Sequence, residues 1–155
     1  MNDKDYIKHS PLGGEGGGLT EHFSLNEFVR SSTADKLGIK NEPTTEAVEN
    51  LRVLCKQILE PLRKIANKPL HINSGYRCSV LNMAVGGAKT SNHLYGFAAD
   101  IRCDSWQECL DWQGHIMLMC DFDECICERH GNSIWLHVAY RNNQPQRHRA
   151  FEIKK

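Results

Sequence analysis

The chain has 155 residues, 40% hydrophobic and 25% charged, with 19 basic and 19 acidic side chains and no net charge. That length is enough for one domain with its own core. The charge balance argues against an electrostatically driven nucleic-acid partner, and no apolar run approaches the roughly 20 residues of a membrane span.

In chain order, the N-terminal stretch MNDKDYIKHSPLGGEGGG is polar, with five glycines in positions 13–18. Residues 1–20 read as a disordered Gly-rich segment, followed by a single domain over 21–155. The opening lacks the apolar core of a secretory signal, so the expected site of synthesis and first residence is the cytoplasm. Ser24-Leu25-Asn26-Glu27 fits a capping box and opens a short helix. A second short turn spans Thr33 to Leu37 and is ended by Gly38. Thr44 to Ala66 is the clearest helix, with Val48, Leu51, Leu54, Ile58, Leu62 and Ile65 at three- and four-residue steps. Pro61 is expected to kink or split it.

Leu70 to Ser74 alternates as a half-buried strand does, and Gly75 ends it. Ser79 to Ala84 reads as a short helix, and Ala98 to Arg102 as another strand. Ser105 to Met119 is a helix whose buried face is expected to include Trp106, Leu110, Trp112, Ile116 and Met117. Phe122 to Glu128 and Ile134 to Tyr140 form a hairpin around Gly131-Asn132, and the tail from Arg147 to Ile153 adds an edge strand. Helices segregated from a hairpin sheet give an α+β fold class.

There are seven cysteines, an odd number. Without a signal peptide they read as reduced thiols. Cys125-x-Cys127 could be half of a zinc site, but a second pair at normal spacing is missing. Small buried apolar residues are the simpler reading. His71, His115, His130 and His148 have no paired spacing and read as surface or core residues.

The stretch SNHLYGFAAD, residues 91–100, places His93 seven residues before Asp100. Gly96 lets the loop fold back so that both reach one point. His137, a polar residue inside Trp135-Leu136-His137-Val138, completes a His/Asp/His set suited to zinc with one position left for water. An even hairpin connector sets Glu128 opposite Trp135, on the face of His137 and roughly 7 Å or less from it. Glu128 is then beside the metal without binding it. There it can take a proton from the attacking water and pass it to a leaving amine. Glu124 shares that face but lies farther from the turn, as a second candidate.

These motifs together resemble the zinc D-Ala-D-Ala carboxypeptidases, peptidase family M15, in the branch of phage and bacterial cell-wall peptidases. The likeness rests on Ser74-Gly75-Tyr76-Arg77, Leu81-Asn82, Val85-Gly86-Gly87, Ser91-x-His93, Gly96-x-Ala98-Ala99-Asp100 and Trp135-x-His137-Val138. It implies a small antiparallel sheet flanked by helices, a scaffold shared with hedgehog signalling domains. It implies zinc on His93, Asp100 and His137, and Arg77 on the substrate carbonyl or developing oxyanion. A structural salt bridge is the alternative for Arg77. Ser91 either hydrogen-bonds near the metal or caps its loop, and Asn73 and Tyr76 are candidates for lining the cleft.

The resemblance implies a peptidoglycan stem peptide as substrate, cut by carboxypeptidase or endopeptidase action. A monomer is expected, acting as a phage-type lysin or on wall fragments in the cytosol. There is one departure. Many members carry the catalytic glutamate three residues before the last histidine, where this chain has Ile134. Glu128 is the replacement expected here. The alternative is a zinc-stabilised binding module without catalysis.

Overall fold

The computed structural model describes residues 17–155. Helix α1 (Leu25–Val29) starts with the expected capping box, in which the Glu27 carboxylate accepts the Ser24 backbone N–H at 2.7 Å. Helix α2 (Ser32–Leu37) is capped by the Ser31 hydroxyl and ended by Gly38 at φ +65°. The long helix begins at Thr44, whose hydroxyl accepts the Ala47 N–H.

That helix runs as α3 (Thr45–Leu54), a π turn over Cys55–Leu59, and α4 (Glu60–Ala66). Pro61 has no N–H to donate, and its ring crowds the carbonyl one turn back. The helix therefore widens rather than breaks: the Glu60 N–H reaches back to the Cys55 carbonyl. Leu51, Leu54, Cys55, Ile58, Leu59 and Leu62 remain fully buried through the change.

After β1 (Ile72–Ser74) come α5 (Ser79–Ala84), a 3-10 turn at Asn92–Tyr95, β2 (Ala98–Arg102) and α6 (Trp106–Met119). The hairpin is β3 (Glu124–His130) and β4 (Ser133–Ala139), and β5 (Arg149–Lys154) closes the chain. The sheet order is β1-β2-β4-β3-β5. His130 pairs with Ser133, so the connector is Gly131-Asn132 with Gly131 at φ +59°. The even connector sets Arg129 opposite Ile134 and Glu128 opposite Trp135.

The fold is α+β, as the patterning indicates, and each sheet pair is antiparallel except the last. β5 runs parallel to β3. The segment leaving β4 turns back at the same end of the sheet and crosses to the far side of β3. It must then run with β3 rather than against it.

One sheet face packs on the helices. Ile72, Ile101, Leu136, Val138, Cys125 and Cys127 join that core. Alternation sends Asp100, His137, Glu124, Ile126 and Glu128 to the other face.

Three expectations need correction. The segment 1–20 falls largely on residues 1–16, outside the described residues, but the packed chain already includes Leu19, which is buried. Its carbonyl accepts from Arg52 at 2.5 Å, and the Gly17 carbonyl accepts from Leu25. Residues 17–19 thus already pack on the helices, where a disordered segment was expected. Met117 is 52% exposed, because Cys109, Trp112, Gln113 and Ile116 form the inward stripe of α6. The hairpin strands are offset by one to two residues from the apolar runs, since the ladder extends to the turn on polar residues.

Gly96 ends the 3-10 turn at φ +75°, and a Cβ there would lie 2.4 Å from the Ala47 carbonyl oxygen. The loop carrying His93 thus rests directly on the backbone of α3. Gly96→Ala is expected to lose about 2–4 kcal/mol, the sum of a left-handed backbone penalty and a backbone collision. Urea unfolding at unchanged m-value measures it.

Candidate metal centre

Asp100 lies in the middle of β2 and pairs directly with His137 on β4. Their side chains meet, with His137 Nδ1 at 2.9 Å from Asp100 Oδ1. His93 approaches from the 3-10 turn, its Nε2 at 3.4 Å from Asp100 Oδ2. One ligand atom from each of the three lies within 4.8 Å of the others. Among the described residues this is the one group of three or more His, Cys, Asp or Glu with metal-site geometry.

Each histidine is held from behind. His93 Nδ1 donates to the Gly75 carbonyl at 2.6 Å, and the Arg77 N–H returns a bond to the His93 carbonyl. This clip puts the proton on Nδ1 and leaves Nε2 as a lone pair facing Asp100. Gly75 is required for the approach, because a Cβ on it would sit 2.7 Å from the Phe28 backbone. His137 turns its Nε2 outward to Glu124 Oε1 at 3.1 Å. Its Nδ1 is therefore the atom directed at the cluster.

The charges reinforce one another. Burial penalises the Asp100 carboxylate, but the two imidazoles outweigh it and hold its pKa well below the usual range. Burial alone would also lower the His137 pKa. Its hydrogen bonds to Asp100 and Glu124 outweigh that and raise it.

Glu128 is pushed up, by burial first and by the Asp100 charge second, with His137 and His93 partly opposing. Arg77 is pulled down by burial, while Asp100 and Glu128 counter the effect. Arg77 and Glu128 thus share the electrostatic field of Asp100. The buried Arg77 Nε has no hydrogen-bond partner in the structure.

The family model for peptidase M15 matches residues 21–139, most of the chain. The chain belongs to the peptidase M15 family. A curated relative is the zinc D-Ala-D-Ala carboxypeptidase of Streptomyces albus G, 42% identical over 89 residues. Those residues are 57% of this M15 chain and 34% of that protein, so the match spans about a third of the relative's length.

Two of the residues expected to touch substrate have partners in the fold. The Ser91 hydroxyl caps the 3-10 turn by accepting the His93 N–H, and Tyr76 is 7% exposed within the hydrophobic core. Asn73 is exposed on β1, next to Ser74, which pairs with Asp100. Cys125 and Cys127 point to the helical core, away from His137, and all seven cysteines of this M15 chain are free thiols. Among the described residues no helix is long and apolar enough to cross a membrane.

Sequence reasoning missed three groups around the M15 site: the Gly75 carbonyl, the Asn92 amide and the closeness of Glu124. A carbonyl carries no side-chain signal. Glu124 contacts a ring nitrogen whose direction depends on the His137 rotamer, which spacing does not reveal.

A metal on this group must take the place of the His137 Nδ1 proton. Because the metal-free His137 pKa is raised, that proton is still bound at neutral pH. Zinc affinity therefore rises with pH through the neutral range, and uptake at pH 7 releases about one proton. Calorimetric titrations in buffers of different ionisation enthalpy measure the release, and buffer-independent heats would contradict it.

Proposed function

We propose that this M15 chain is a zinc-dependent peptidase acting on peptidoglycan stem peptides. Convergence of His93 Nε2, an Asp100 oxygen and His137 Nδ1 on one point carries the reading. The donor set fits zinc: two imidazole nitrogens and one carboxylate, each imidazole oriented by a partner behind it. Bound there, zinc supplies Lewis-acid chemistry, polarising a carbonyl and activating water.

The remaining roles belong to the protein. Glu128 shares a sheet face with His137 and is not held by the metal group. Its raised pKa suits a proton acceptor near neutrality that later returns the proton to the leaving amine. Arg77 lies within the electrostatic field of Asp100 and Glu128, and its guanidinium is the cation that would steady the developing oxyanion. Asn73, exposed on β1, would line the cleft in this reading. The stem-peptide substrate is supported by likeness to the Streptomyces enzyme, whose name specifies a D-Ala-D-Ala bond.

Glu128 stands in for the glutamate that Ile134 displaces. Glu124, the other glutamate on this face, is engaged by His137 Nε2, on the side of the ring turned from Asp100. Glu128→Gln is therefore expected to keep about one zinc per chain and to lower the rate of amine release from purified peptidoglycan about 10²- to 10⁴-fold. Unchanged hydrolysis would remove Glu128 from the mechanism. Zinc without cleavage in the parent chain would leave a binding module on the same scaffold.

A further inference from the structure

Glu124 sits at the start of β3 with its side chain largely buried. Four groups converge on it. His137 Nε2 approaches Oε1 at 3.1 Å, and Asn92 Nδ2 donates to the same oxygen at 2.7 Å. Arg149 pairs with Oε2 at 3.4 Å, and Arg147 reaches Oε1 at 4.0 Å.

The neighbouring Asp123 is fully buried and is gripped by Arg147 at 2.8 and 3.0 Å. Asn92 Nδ2 also bonds Asp123 Oδ2 at 3.0 Å. One amide, on the residue before His93, thereby ties the loop of one candidate ligand to the carboxylate behind another.

The two arginines come from the C-terminal segment. β5 lies parallel to β3, and the register sets Arg149 opposite Glu124. The family match ends at residue 139, so both arginines lie beyond it. In an apolar setting a buried carboxylate without such partners would be costly. Here His137, Asn92 and the two arginines all partner it, and together they fix it against the His137 ring.

We propose that Glu124 is a positioning residue for the metal centre, held by Asn92 and the C-terminal Arg147–Arg149 pair. By accepting a hydrogen bond from His137 Nε2–H it fixes the ring so that Nδ1 faces the metal. The inference rests on the zinc reading above. It adds a role for the segment after residue 139, which locks the site rather than merely finishing the sheet.

The test is zinc affinity, read by competition with a chromophoric chelator, beside thermal unfolding of the zinc-free chain. Glu124→Ala is expected to raise the zinc dissociation constant about 10- to 100-fold, the usual range for loss of such a partner. Arg149→Ala is expected to raise it less, because that arginine acts only through Glu124. A lower melting temperature with an unchanged zinc constant in Glu124→Ala would mean a purely structural role and would overturn the proposal.

If Glu124→Ala does not fold, long-range ¹H–¹⁵N spectra of the zinc-loaded parent decide. The proposal expects His137 protonated at Nε2; a proton on Nδ1 overturns it. A parent chain that binds no zinc fails earlier, and takes the zinc reading down with it.

Discussion

A carboxylate in the middle of a sheet is the constraint on which the site depends. Asp100 occupies a central strand, with β1 on one side and β4 on the other. A buried negative charge is stable only when opposite charge or strong donors surround it. His137 supplies one partner from the adjacent strand. His93 supplies the other from a loop that must fold back onto the sheet. That return passes Gly96, seated against the α3 backbone, and is clipped by the Gly75 carbonyl. The helical layer and the site are thus coupled through backbone contacts as well as through the hydrophobic core.

The division between the two sheet faces explains what the chain can do. The core face carries Ile101, Leu136, Val138, Cys125 and Cys127, and needs only close packing. Burial raises the Cys125 thiol, and a hydrogen bond with Cys109, followed by burial, raises Cys127, which keeps both protonated and inert as ligands or nucleophiles. The opposite face collects nearly every ionisable group of interest. With so many charges together, each proton location depends on its neighbours. Asp100 is driven down, His137 up and Glu128 up, and the two glutamates are separated by environment. One lies against an imidazole and two arginines; the other lies under the field of Asp100. Two acids on one strand, four residues apart, thereby sit in different electrostatic surroundings.

Much of this was legible in the residues. The hairpin register followed from an even connector with glycine at its first position, and register alone fixes which side chains share a face. The His/Asp/His set was suggested by a glycine between His93 and Asp100, which allows the loop to fold back, and by a polar His137 inside an apolar strand; the structure brings the three together. The response to Pro61 was open, since a kink, a split and a π turn all satisfy a missing N–H. Only the packing of Leu54 through Leu62 selects among them. Ser91 carried two readings because a hydroxyl before a loop serves equally as a cap or as a neighbour of the site. Tyr76 followed the core because its backbone continues from Gly75, which is pressed against α1. The parallel placement of β5, and with it the arginines behind Glu124, depends on contacts some 25 residues apart. Local pattern does not record them.

Zinc K-edge X-ray absorption on the purified chain, with metal content measured on the same sample, tests the central claim most directly. The account predicts about one zinc per chain with nitrogen and oxygen ligands at about 2.0–2.1 Å, two of them imidazoles. Sulfur at about 2.3 Å would move the metal to the cysteines. That result, or a chain that takes up no zinc, would contradict the assignment of His93, Asp100 and His137 as a metal centre.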